Sequence, residues 1–92
     1  MNKLTVFYLE HCPYCRNAMR AVKELEAEIP GFSPDGIDWI EETRSPEIAD
    51  RYDYYRVPSV FLGEKKLYEC SPSDDYASIK RHLKEAVEAA IG

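Results

Sequence analysis

The segment "FYLEHCPYCRNAM", Phe7 to Met19, constrains this chain most, because the hydrophobic period changes inside it. "KLTVFYL", Lys3 to Leu9, is β-branched, aromatic and continuously apolar, which predicts a central strand covered on both faces. From Pro13 the spacing becomes helical. Cys15, Ala18, Val22, Leu25 and Ile29 share one face until Pro30-Gly31 ends the run. Two cysteines, Cys12 and Cys15, therefore sit one helical turn apart at the junction of strand and helix.

The later segments extend this pattern. "IDWIEET", Ile37 to Thr43, reads as a second strand after the turn-rich "PGFSPDG". Ser45-Pro46 reads as the N-cap and first residue of a short helix with Ile48, Ala49 and Tyr52 inward. "VPSVFLG" and "KKLYEC" read as two strands joined into a hairpin at Gly63-Glu64. Ser71-Pro72 reads as the cap and first turn of a last helix, with Tyr76, Ile79, Leu83, Val87 and Ala90 as its inward stripe. The order is β-α-β-α-β-β-α. A strand-helix-strand start needs a parallel pair with a right-handed crossover, and the late hairpin adds antiparallel strands. The expected class is α/β, with a four-stranded mixed sheet flanked by helices. The length of 92 residues suits one domain, residues 1–92.

Composition narrows the partners. An apolar fraction of 45% against 32% charged fits a folded soluble protein. The formal net charge is -5 and the basic residues are scattered, so nucleic acid is not an expected partner. No segment approaches a membrane span, and "MNKLTVFYLEH" lacks the features of a signal peptide. The expected location is cytoplasmic. There a C-x-x-C beside a strand-helix pattern reads as redox or metal chemistry. A zinc site needs four ligands as a rule, and Cys70, His11 and His82 stand in no knuckle-like spacing, so no metal is expected.

A helix that opens at Pro13 puts Cys12 at the cap, its sulfur facing the free backbone N–H groups of Tyr14 and Cys15. The partial positive charge of a helix N-terminus favours the thiolate, the nucleophilic form of cysteine, and Arg16 one turn in adds to it. Cys12 is the expected catalytic nucleophile. Cys15, shielded by the helix, is the expected resolving thiol. Pro13 fixes the helix start, and Tyr14 is expected to project beside the reactive sulfur. Cys70 reads either as a small buried residue at a strand end or as a third redox thiol. The tyrosines read as core and groove lining, His11 as an exposed loop residue and His82 as surface.

"CPYC" after an apolar strand, together with the later "VPSVF", resembles the glutaredoxins of the dithiol CPYC type, small members of the thioredoxin superfamily. The resemblance spans nearly the whole chain. It implies a thioredoxin-like fold and a glutathione-dependent thiol-disulfide oxidoreductase of electron transport and cell redox homeostasis. Such an enzyme would reduce protein or glutathione mixed disulfides through Cys12 and Cys15. Glutathione is the implied co-substrate, no cofactor is tightly bound, disulfide-containing proteins are the implied partners, and a monomer is expected.

By the same resemblance, Pro58 is a cis-proline facing the active-site disulfide. Glutathione lies across Tyr14 and Val57, pairing with the Val57 backbone as an added strand. Asp74 and Asp75, or Ser73 and Asp74, receive its glutamyl end. Arg56 stands where relatives carry threonine, and reads as a carboxylate clamp or as a solvated surface arginine. Leu9 stands in place of a basic residue, and Ser71-Pro72 in place of two glycines. Both changes remove contacts to glutathione. Two alternatives therefore stay open: a dedicated protein-disulfide reductant fed by a reductase, and a glutathione-assisted iron-sulfur cluster scaffold.

Overall fold

The computed structural model describes residues 1–92. Its strands are β1 (Leu4–Tyr8), β2 (Ile37–Glu41), β3 (Ser59–Leu62) and β4 (Lys65–Glu69). Its helices are α1 (Pro13–Glu28), α2 (Pro46–Ala49) and α3 (Tyr76–Ile91), and a 3₁₀ turn at Pro34–Gly36 leads into β2. The sheet order is β2-β1-β3-β4. β1 runs parallel to β2, from Leu4 opposite Ile37 to Tyr8 opposite Glu41, and antiparallel to β3, from Leu4 opposite Leu62 to Phe7 opposite Ser59. β3 and β4 are antiparallel, with an irregularity between Val60 and Phe61. Gly63, at φ +60, takes the first of the two hairpin-turn positions, where a type II′ turn demands glycine. The expected mixed α/β sheet is present.

Alternation along β1 explains why both faces are covered. Leu4 and Val6 join Val60 under α1 and α3, where Ala18, Ala21, Leu25, Ile79, Leu83, Ala86, Val87 and Ala90 are all buried. The alanines let the two helices approach closely, and each fully buried leucine or isoleucine contributes about 1.5–3 kcal/mol. Phe7 points the other way. Its ring lies 4.8 Å from those of both Tyr52 and Tyr54 and 5.9 Å from that of Phe61. Aromatic side chains thus cover the face that the short α2 leaves open.

Several boundaries differ from the sequence reading. β2 stops at Glu41 instead of Thr43, because the Glu41 carboxylate accepts from both the Thr43 N–H and its hydroxyl at 2.6 Å and turns the chain away from the sheet. Ser45 holds the cap position of α2 but its side chain makes no capping bond, and Ile48 and Ala49 are half-buried, outside the core. The start of α3 is the largest correction. The cap is Asp75, not Ser71, and Asp75 Oδ1 accepts from the Ser78 N–H at 2.8 Å. Ser71-Pro72 lies in a turn closed by Asp74 N–H to Ser71 O and by Ser71 N–H to Asp74 Oδ2, each 2.9 Å. Aspartate caps a helix as well as serine, and Asp74 holds the residues before it out of the helix. His82 is half-buried, stacked on Tyr68 with ring centroids 4.4 Å apart, not a free surface residue. No helix is long and apolar enough to cross a membrane.

Candidate functional site

Where β1 ends, His11 adopts φ +63, a left-handed conformation that histidine tolerates better than most residues. That turn swings the chain into α1 with Cys12 at the N-cap and Pro13 at the first helical position. Cys12 Sγ accepts a hydrogen bond from the Cys15 backbone N–H at 3.3 Å. Of the two N–H groups expected to face the sulfur, Cys15 supplies the bond and Tyr14 does not.

The two thiols are unequal. Cys12 is partly exposed, whereas Cys15 is 1% exposed beneath the first turn. Burial pushes the Cys15 thiol up to about 12, and its hydrogen bond to the Cys12 sulfur adds to that. Cys15 also borders an open cavity of about 350 Å³ with Tyr8, Leu9, Glu10, His11, Arg16 and Met19. Arg16 thus stands on the Cys15 side of the helix.

The Val57–Pro58 peptide bond is cis, as the resemblance implied. The Pro58 carbonyl accepts from the Cys70 N–H at 3.0 Å, which extends the β3–β4 pairing by one step and lays Cys70 beside the proline. Tyr14, Arg56 and Val57 meet Cys70, Ser71 and Pro72 around one small cleft of about 50 Å³. The Val57 N–H and C=O have no hydrogen-bond partner within the chain. Tyr14 is tied down, because its hydroxyl donates to the Pro72 carbonyl at 2.9 Å.

Asp74 and Asp75 have different surroundings. Asp74 Oδ2 accepts from the Tyr68 hydroxyl at 2.6 Å and from the Ser71 N–H, and Oδ1 accepts from the Ser78 hydroxyl at 2.9 Å. These bonds, the Tyr68 one foremost, hold its carboxyl down at about 2. Asp75 is exposed and commits only Oδ1, to its capping bond. Cys70 is 3% exposed, and burial raises its thiol above the ordinary range. That burial matches the strand-end reading.

One positioning residue carries no sequence signal. Glu69 Oε2 accepts from the backbone N–H groups of Tyr55 (2.9 Å) and Arg56 (2.8 Å), while Oε1 takes Lys66 at 2.7 Å. It clamps the loop ahead of the cis-proline onto β4. The contact bridges segments far apart in sequence, so no local pattern could mark it. No group of three or more His, Cys, Asp or Glu side chains is arranged to hold a metal ion.

A strand leading into a C-x-x-C at a helix start, with a cis-proline just ahead of that strand's antiparallel neighbour, defines a protein of the thioredoxin fold. Solved thioredoxins share the architecture. A mutant thioredoxin from Halobacterium salinarum matches with a TM-score of 0.63 at 22% identity, over 97% of this chain and 74% of that one. Thioredoxin 1 from Thermosipho africanus matches with a TM-score of 0.57 at 14% identity, over 98% and 99%. Within that fold the chain is a glutaredoxin homologue. It is 34% identical to glutaredoxin-1 of Gallus gallus over a stretch covering 70% of this chain and 62% of that protein. The matched region is thus less than two thirds of the relative's own length. No protein-family model matches the chain.

Proposed function

We propose that this protein is a thiol-disulfide oxidoreductase that reduces protein or glutathione mixed disulfides, with Cys12 as nucleophile and Cys15 as resolving thiol. The observation that carries this reading is the unequal pair: a reachable sulfur at a helix cap, above a buried and protonated one. The Cys12 thiolate attacks one sulfur of the substrate disulfide, a new S–S bond forms to Cys12, and the other substrate sulfur leaves as thiolate and takes up a proton. The mixed disulfide is then resolved in one of two ways. Glutathione thiolate displaces Cys12 and forms oxidised glutathione, or Cys15 gives up its proton, attacks Cys12 and expels the bound thiol. Electrons come from thiols, so no resident cofactor takes part.

For glutathione, the unpaired Val57 backbone pairs with the peptide as an added strand beside Pro58, and the Tyr14 ring lines the cleft. Arg56 takes a carboxylate of the peptide in this reading, supported by its being exposed and in no ion pair within the chain. Asp74 is spent on internal bonds, so the glutamyl ammonium falls to Asp75 Oδ2, with Asp74 positioning the turn.

A second reading is favoured by the size of the cleft. At about 50 Å³ it is far below the roughly 300–1,000 Å³ of sites that enclose a small molecule. A shallow rim suits a partner polypeptide, reduced by a protein fed from a reductase. Steady-state assays with a mixed disulfide separate the two. Cys12→Ser should abolish turnover in either case. Cys15→Ser keeps glutathione-driven turnover under the first reading, and loses all turnover under the second. Full activity of Cys12→Ser would overturn both.

A further inference from the structure

The largest cavity lies outside the cysteine site. It is open, about 490 Å³, and lined by Glu42, Thr43, Pro46, Ala49, Asp50, Tyr52, Tyr54 and Tyr55. Its lining holds two carboxylates, three phenol rings and no basic residue. Glu42 spends Oε1 on the Tyr54 hydroxyl at 2.7 Å, and Oε2 has no partner in the chain. Neither Glu42 nor Asp50 forms an ion pair. Arg51 and Arg56, which follow Asp50 and Tyr55 in sequence, are not among its lining residues, and Arg44 is paired with Glu10.

The rings differ in a useful way. Tyr52 and Tyr54 are fixed by packing on Phe7, while Tyr55 is 90% exposed at the rim. An aromatic face combined with unpaired carboxylates is the chemistry that holds an ammonium or guanidinium group. The cavity's place is equally telling. Tyr55 borders it, and the next two residues, Arg56 and Val57, border the cleft beside the cis-proline. A polypeptide extended along Val57 covers about 3.3 Å per residue, so a side chain within a few residues of the one at Val57 reaches Tyr55.

We propose that this acidic, tyrosine-lined cavity is a docking site for a lysine or arginine side chain of the disulfide-bearing partner, close in sequence to the cysteine being reduced. The identity of the occupant rests on the disulfide-exchange reading above. The cation-binding chemistry of the cavity does not. The site makes the protein prefer polypeptide substrates with a basic residue flanking the target cysteine.

Two measurements test it. First, the ¹⁵N-labelled reduced protein is titrated with capped, cysteine-free pentapeptides carrying a central Arg, Ala or Glu. The Arg peptide should give saturable shifts at the Tyr52, Tyr54 and Tyr55 amides that weaken with added salt and vanish in Glu42→Gln/Asp50→Asn. Equal responses to Arg and Ala peptides, or shifts surviving in the double variant, overturn the site. Second, glutathione mixed disulfides of cysteine peptides are assayed with one Arg moved through the four positions either side of the cysteine. At the favoured position KM should fall about three- to tenfold against the Ala peptide, and the double variant should erase that difference without changing turnover of the Ala peptide. A KM independent of Arg position overturns the substrate preference. Saturable Arg binding without turnover of any peptide leaves the cavity standing and removes the disulfide-exchange reading.

Discussion

The Tyr14 hydroxyl donates to the Pro72 carbonyl at 2.9 Å and ties the first turn of α1 to the turn ahead of α3, across 58 positions of sequence. This is a single neutral bond at an exposed site, so Tyr14→Phe should cost less than about 1 kcal/mol of global stability in urea. Its effect should be local. The Asp74 N–H, bonded to Ser71 O, should exchange faster with solvent in the variant. Unchanged exchange would show that the Asp74 side chain holds the turn by itself.

Cys15 should leave a signature at alkaline pH. Burial raises its thiol from 9.0 to about 12, so the folded protein keeps a proton that the unfolded chain releases above about pH 9. The stability tied to that proton is complete below pH 9 and is lost as pH rises toward 12, by up to about 1.4 kcal/mol per pH unit. Urea unfolding of wild type and Cys15→Ala at pH 8 and pH 10 checks this. Wild type should lose more stability over that interval, and equal losses would count against the buried proton.

Asp74 acts at the other end of the scale. Its carboxyl is lowered from 3.8 to about 2, so its contribution is present above pH 4 and disappears as pH falls through about 2. Because the residue is partly exposed, that contribution is at most about 2 kcal/mol. Asp74→Asn should therefore lower stability at pH 7 and flatten the acid limb of the curve. A variant as stable as wild type at pH 7 would refute this.

Arg56→Ala addresses the small-molecule substrate. A charge-assisted bond from an exposed guanidinium to a glutathione carboxylate should be worth about three- to tenfold in KM. The rise should appear with the glutathione mixed disulfide and leave kcat nearly unchanged. An unaltered KM would make Arg56 a solvated residue and favour a polypeptide substrate.

His11 offers a backbone test. At φ +63 a β-branched side chain is strained, so His11→Val should destabilise by about 1–2 kcal/mol, while His11→Gly should come within about 1 kcal/mol of wild type. Equal stability of the two variants would remove the left-handed turn from the account of how Cys12 reaches its cap.

What could be read from the sequence was what local rules decide. The break from a continuous apolar strand to helical spacing at Pro13 placed Cys12 at the cap, and the structure has it there. The start of α3 differs from the sequence reading because Ser71-Pro72 and Asp75 are both sound caps by local rules. The choice was made by Tyr68 and Ser78, which bind the Asp74 carboxylate and fold the intervening residues into a turn. Likewise the Tyr14–Pro72 bond and the Glu69 clamp join segments that sequence spacing does not relate. They exist only after the sheet has closed.

The Glu69 clamp also bears on how cheaply a substrate can be held. Because one carboxylate oxygen already fixes the N–H groups of Tyr55 and Arg56, the backbone leading to Val57 is rigid before any ligand arrives. A docking peptide therefore meets a rim whose conformational freedom was given up during folding, and complex formation does not have to supply that ordering again.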